Sequence, residues 1–186
     1  TFALTDKTEL TMKEYFQNKY RISTARVTWR NYCEGMYFIT ICTHQQKNHF
    51  GRIIPRPGLE ENQLVLTEVG RYVEENLQQI TSHYPYAEIP VFVIMPNHLH
   101  FIIIIDSADD SNGNVSTGNG CQIHMKISPQ KGSLSTVIRG FKSAITKYAR
   151  ERGIAFAWQT RFYDRIIRNQ NELNAIATYI ENNPYK

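Results

Sequence analysis

The chain has 186 residues, 41% of them hydrophobic, which suits one domain with a real core and leaves room for an extra arm. No apolar run reaches the ~18 residues that a membrane span needs, so a membrane protein of the helical kind is excluded. No secretory signal is legible at the start. Three widely spaced cysteines (Cys33, Cys42, Cys121) without a CxxC argue against a disulfide scaffold or a zinc knuckle, and a reducing, cytoplasmic setting is expected. The net charge of +4 is unevenly placed: residues 121–186 hold 11 Lys+Arg against 4 Asp+Glu, a net +7, and residues 1–120 hold 10 against 13, a net −3. A polyanion is the natural partner for the basic half, although solvated soluble domains can be as lopsided.

In chain order, residues 1–25 are polar and weakly patterned and read as an N-terminal arm, with one short helix around Met12–Tyr20. The domain proper is read as 26–186. Met36–Thr43 alternates and is rich in β-branched and aromatic residues, which predicts a strand. Leu64–Leu66 is a short strand candidate. Glu68–Thr81 carries Val69, Tyr72, Val73, Leu77 and Ile80 at helical spacing. Ile89–Met95 and His98–Ile105 are two apolar runs separated by Pro96-Asn97, a hairpin signature, and the second run is apolar enough to be a central strand. Asp106–Gly120 is low in complexity and rich in Gly, Ser and Asn, which predicts a flexible loop inside the domain. Ser133–Arg152 is a strong helix: Leu134, Val137, Ile138, Phe141, Ile145 and Tyr148 share one face, and Arg139, Lys142, Lys147 and Arg150 share the other. Phe162–Arg168 reads as an edge strand, and Asn171–Asn183 as a last helix stopped by Pro184. The alternation implies an α+β fold, an antiparallel sheet with helices packed on one face.

Two segments carry chemistry. In a strand, His98 and His100 point to one side while Leu99 and Phe101 point to the other, so the two imidazoles can grip one divalent cation. The alternative is a pair of satisfied structural histidines, but unpartnered imidazoles opening a buried strand would be costly to desolvate. No HxHxD follows, which disfavours dinuclear zinc hydrolases of the metallo-β-lactamase kind. On the last helix Tyr179 and Asn183 are one turn apart and present a phenol and an amide together beside the Leu173, Ile176, Ala177, Ile180 stripe. A lone helical tyrosine more often only packs. Tyr148, the competing phenol, falls in an apolar stripe and reads as core. Arg139, Lys142, Lys147 and Arg150 form either a solvated or a phosphate-binding face. Trp158, Phe162 and Tyr163 interleave with Arg161, Arg165 and Arg168 and could stack on unpaired bases, with Trp158 expected in the core. His44, His49, His83 and His124 have no ligand spacing.

In combination, GMYFITICT (Gly35–Thr43), MPNHLH (Met95–His100), WQTRFYDRIIR (Trp158–Arg168) and YIENNP (Tyr179–Pro184) resemble the single-tyrosine HUH transposases, and most closely the REP-associated tyrosine transposases of bacteria. The resemblance runs from about Arg26 to the C-terminus. It implies a ferredoxin-like (RRM-like) sheet, His98 and His100 as metal ligands with Mg2+ or Mn2+ bound, and Tyr179 as the nucleophile. Asn183 stands where related transposases place a glutamine ligand and is one methylene shorter. The function so implied is cleavage and rejoining of single-stranded DNA near hairpins through a 5′-phosphotyrosine intermediate; a homodimer is possible, and the sequence does not give the oligomeric state. The basic residues Arg139, Lys142, Lys147, Arg150, Arg161, Arg165 and Arg168 are the expected DNA contacts. Two alternatives stay open at this point: a non-catalytic ferredoxin-like nucleic-acid-binding module, and a metal-dependent phosphodiesterase that uses water.

Overall fold

The structure is a computed structural model and describes residues 35–55, 62–106 and 132–183. The expected arm, the helix around Met12–Tyr20, loop residues 107–120, Cys33, Cys121 and His124 lie outside the described residues. A four-stranded sheet organises the rest. Its strands are β1 (Gly35–Cys42), β4 (Ala87–Ile94), β5 (His98–Ile105) and β6 (Tyr163–Ile166), in the spatial order β4-β5-β1-β6 with every neighbouring pair antiparallel. A separate hairpin of β2 (Gly51–Pro55) and β3 (Asn62–Leu66) follows β1. The helices are α1 (Glu68–Gln78), the short α2 (Ile80–His83), α3 (Leu134–Glu151) and α4 (Gln170–Asn182). With the β2–β3 hairpin and α2 set aside, the order strand-helix-strand-strand-helix-strand and the central placement of the first and third sheet strands are those of a ferredoxin-like fold.

The sheet is buried on both faces because β5 alternates between two cores. Leu99, Phe101, Ile103 and Ile105 join Tyr37, Ile39 and Ile41 of β1 under the buried stripes of α1 and α3. Ile102, with Val91 and Val93 of β4, faces the other way, onto Leu173, Ala177 and Ile180 of α4. The expected helices on one face are therefore α1 and α3, and α4 lies across part of the second face. The edges are β4 and β6. Pro90 sits on edge strand β4 within a register shift between Glu88 and Val91, where its missing N–H does least harm.

Each long helix begins where a side chain takes up a free backbone N–H. Thr67 accepts from Gly70 N at 3.0 Å, Ser133 from Thr136 N at 3.3 Å, and Asn169 from Glu172 N at 2.9 Å. At the head of α4, Glu172 reaches back to accept from Arg168 N at 3.0 Å and pairs with the Arg165 guanidinium at 2.6 Å. That carboxylate ties the last helix to the edge strand before it.

Two readings of the sequence are corrected here. Tyr148 is half-exposed and not core: its ring stacks on Tyr72 at 3.7 Å between centroids, Arg152 lies over it, and its hydroxyl donates to Glu68 at 3.2 Å. Helix 68–81 is two helices with Gln79 between them. Trp158 packs on the α1/α3 core as expected, donating Nε1–H to the Lys142 carbonyl at 3.1 Å.

Gly70 holds α1 against the start of the hairpin. A Cβ added there would strike the carbonyl of Phe50, a fully buried residue whose backbone has no room to retreat. We expect Gly70→Ala to lose about 1–2 kcal/mol, overpacking outweighing the gain in helix propensity. Urea unfolding monitored by circular dichroism checks this; an unchanged or higher midpoint would mean that the contact gives way freely.

Candidate functional site

The second face of the sheet carries a row of side chains that hydrogen-bonding register places side by side. Val93, His100, Thr40 and Tyr163 are successive partners across β4, β5, β1 and β6. His98 lies two residues before His100 on β5, opposite Cys42. The two imidazole centroids are 4.7 Å apart, as the alternation of a strand requires.

Each imidazole is oriented by one neighbour. The Asn97 amide donates to the Gln46 carbonyl at 3.2 Å, so its oxygen is the atom that faces His98 Nδ1 at 2.6 Å. An amide oxygen only accepts, so His98 Nδ1 carries the proton and Nε2 presents a lone pair. The Thr40 hydroxyl meets His100 Nδ1 at 2.8 Å, leaving Nε2 of that ring turned outward. The Pro96–Asn97 turn that sets both rings is itself strapped down. Thr43 N donates to Asn97 O and Phe50 N to Pro96 O, both at 2.9 Å, and the buried Thr43 hydroxyl adds a bond to Asn97 O at 3.0 Å. Gln45 and Gln46 both adopt positive φ (53° and 54°), a costly backbone for residues with a Cβ, and it brings the Gln46 carbonyl to Asn97.

Burial keeps both rings neutral. His100 is 8% exposed, and desolvation, with the neighbouring His98 adding to it, pushes its pKa down to about 4. Burial lowers His98 as well. Neutral imidazoles are the form that binds metal ions.

Tyr179 reaches this pair from α4. Its hydroxyl lies 3.5 Å from His100 Nε2, at the outer limit of a hydrogen bond, and the two rings are 5.5 Å apart edge to face. Phe38 stacks on His100 at 5.5 Å and meets Tyr179 edge-on at 6.3 Å, so one aromatic ring spaces both. Tyr179 is 45% exposed, which leaves its oxygen open to a large substrate. Asn183 caps α4 with helical φ and ψ, one turn beyond Tyr179, and is half-buried. Among the described residues no group of three His, Cys, Asp or Glu could hold a metal.

The basic residues divide between two faces. Arg165 and Arg168 line a groove of about 690 Å³ together with Phe38, Tyr163 and Tyr179, on the histidine side of the sheet. Arg161 is exposed just before β6. Arg139, Lys142, Lys147 and Arg150 lie on α3, whose buried stripe packs on the opposite face. There the Lys142 ammonium donates to the Gln159 carbonyl at 2.8 Å and lies 5.6 Å from the Trp158 ring, and its pKa is lowered by burial. Lys147 faces Glu151 at 3.8 Å on an exposed surface. Arg139 and Arg150 are exposed.

Thr40 and Phe38 were not singled out from sequence, and Asn97 was named only as part of the turn and motif, without a role toward His98. Asn97 precedes His98 directly, and period two places Phe38 and Thr40 on one side of β1, but only the β1–β5 register shows that this side carries the histidines.

An antiparallel ferredoxin-like sheet with a histidine pair on one strand and a tyrosine from the last helix above it defines the class. No protein-family model matches the chain. An uncharacterised protein of Haemophilus influenzae is 37% identical over 155 residues, 81% of each chain. A second protein from the same organism, provisionally named a REP-associated tyrosine transposase, is 26% identical over 82% of this chain and 71% of its own. The fold is shared with a solved REP-associated tyrosine transposase bound to a REP hairpin, with a TM-score of 0.50, 20% identity, and coverage of 93% of this chain and 73% of that one. Over most of its length the chain is thus similar to a protein named as a REP-associated tyrosine transposase and shares the fold of a solved one. Among the described residues no helix is long and apolar enough to cross a membrane.

The neutral state of His100 gives the fold a pH dependence. Its folded pKa lies below the unfolded value of about 6.5. The associated stability is therefore full above pH 6.5 and is lost as pH falls toward 4. In metal-free buffer we expect the melting temperature to fall more steeply over that range than it does for His100→Gln. Parallel curves for the two proteins would contradict the burial of an uncharged imidazole.

Proposed function

We propose that the chain is a DNA transposase that cleaves and rejoins single-stranded DNA beside hairpins, with Tyr179 as the nucleophile. The observation that carries this reading is the approach of the Tyr179 oxygen to His100 Nε2, across the gap between a helix and a strand that nothing in local sequence joins. A hydrolase that uses water has no need of a phenol at that place. The likeness to a relative named as a REP-associated tyrosine transposase supports a transposase role, and the solved structure that shares the fold is a transposase bound to a REP hairpin.

The chain's own groups do most of the work. Helix α4 is seated by Leu173, Ala177 and Ile180 and holds the phenol oxygen over the histidine pair, so that the strand meets an oriented nucleophile. Attack of the Tyr179 oxygen on the scissile phosphorus forms the O–P bond of a 5′-phosphotyrosine. The bond to the 3′ oxygen breaks, and that oxygen leaves as a 3′-hydroxyl while the phenol gives up its proton. The phosphodiester energy is kept in the covalent link, so a second 3′-hydroxyl can displace the tyrosine and seal a strand without ATP. Nε2 of His98 and of His100, with the Asn183 amide, would hold Mg2+ or Mn2+, a set that leaves positions for phosphate oxygens. Such a cation would neutralise charge on the reacting phosphate. Asn97 keeps the His98 lone pair aimed at it, and Thr40 holds the His100 ring in place. Arg165 and Arg168, which line the groove beside Tyr179, would face phosphates next to the scissile one, and the outward face of α3, with Arg139 and Arg150, would meet a more distant part of the nucleic acid. Arg161 and Lys147 extend the two surfaces, and Lys142 braces the junction between them.

The test is incubation with a labelled pool of single-stranded oligonucleotides that carry a hairpin and randomised flanks, in Mn2+, followed by a denaturing gel. We expect a shifted, protease-sensitive band that EDTA abolishes and that Tyr179→Phe removes while the protein still folds. Strand cleavage without the shifted band would identify a water-using phosphodiesterase. Retention of the DNA with neither cleavage nor adduct would identify a binding module.

A further inference from the structure

Four large hydrophobic residues are exposed among the described residues, and three of them, Tyr163 (57%), Tyr179 (45%) and Ile166 (41%), belong to β6 and α4. Tyr163 is the residue that the role of Tyr179 leaves unexplained on the histidine face. It pairs with Thr40 in the sheet and so sits one strand outside the residue that orients His100. Its ring touches Phe38 only edge-on, with centroids 6.5 Å apart, so a broad aromatic face stays open to the groove between β6 and α4. Phe38 cannot offer the same, because it already stacks on His100. The other two aromatics of this segment are also committed, since Trp158 and Phe162 pack on the core of the opposite face. Arg165 and Arg168 line the same groove. Glu172 is the carboxylate facing them; it is engaged by Arg165 and by the Arg168 backbone, so it steadies this rim.

We propose that this groove is a base-binding subsite, in which an unpaired nucleobase flanking the scissile phosphate stacks on the Tyr163 ring while Arg168 and Arg165 face the adjoining phosphates. The proposal rests on the strand-transfer reading of Tyr179 for the position of the phosphate, and it adds how the strand is gripped next to it. Stacking accepts any base because every base has a π face, so Tyr163 sets single-strandedness and register rather than sequence. A duplex cannot enter, since its bases are already stacked on one another. Tyr163 is a positioning residue and touches no reacting atom.

The test uses the full chain, EDTA buffer and fluorescence anisotropy, with a fluorescein-labelled oligothymidylate of about fifteen nucleotides and a duplex of equal length. We expect Tyr163→Ala to weaken single-strand binding on the order of tenfold and Tyr163→Phe to stay within about twofold. Duplex binding and the unfolding midpoint should be unchanged in both variants. Equal single-strand affinity in Tyr163→Ala, an equal loss on the duplex, or no single-strand binding by the unaltered chain would each overturn the subsite. The adduct experiment separates this from the parent reading. An adduct formed by a chain whose Tyr163→Ala variant binds normally removes the subsite and leaves strand transfer standing. A selective single-strand loss without any adduct does the reverse.

Discussion

Everything at this site depends on the register of one central strand. β5 is buried on both faces, so its odd residues must enter one core and its even residues must face the other side. A slip of one residue would bury His98 and His100 under α1 and α3 and expose Leu99 and Phe101. The cost of that exchange, several large apolar side chains against two imidazoles, holds the histidines on the second face. The same alternation places Thr40 beside His100 and Phe38 across its ring, so packing of the first core orients the chemistry of the second.

Helix α4 adds the phenol by the same logic. Its apolar stripe has one seat, on Val91, Val93 and Ile102, and seating it rotates Tyr179 over His100. The Glu172 carboxylate joins the head of that helix to β6, which keeps the seat close to the strand that bears Tyr163 and Arg165. The tyrosine is thus delivered by hydrophobic burial, while its exposed oxygen keeps the freedom to react. Neutral, oriented histidines and an accessible nucleophile have opposite solvation needs, and the second face of the sheet meets both within a few ångströms.

Much of this was legible in the chain. The bounds of β5 and its alternation follow from HLHFIIII after a Pro-Asn turn, and α3 and α4 follow from their stripes and caps. Hairpin strand β2 escaped because GRIIP is short and ends in proline, a poor strand signature by composition. The division of the basic residues escaped for a different reason. An amphipathic stripe says that a helix packs on a sheet, and it does not say on which face; only the topology puts α3 and α4 on opposite sides. Long side chains add their own ambiguity, since the Lys142 ammonium, read as a candidate phosphate contact, also donates to the Gln159 carbonyl and lies beside Trp158. Thr40 and Asn97 act through register and turn geometry, which residue type alone does not reveal.

The most direct measurement is a crystal structure of the chain soaked with Mn2+, read by anomalous scattering. The account predicts one peak at ordinary metal–imidazole distance, about 2.0–2.2 Å, from Nε2 of both His98 and His100, with the Tyr179 hydroxyl facing the same space. A peak elsewhere, or imidazoles that share no cation while Tyr179 turns to solvent, would contradict it.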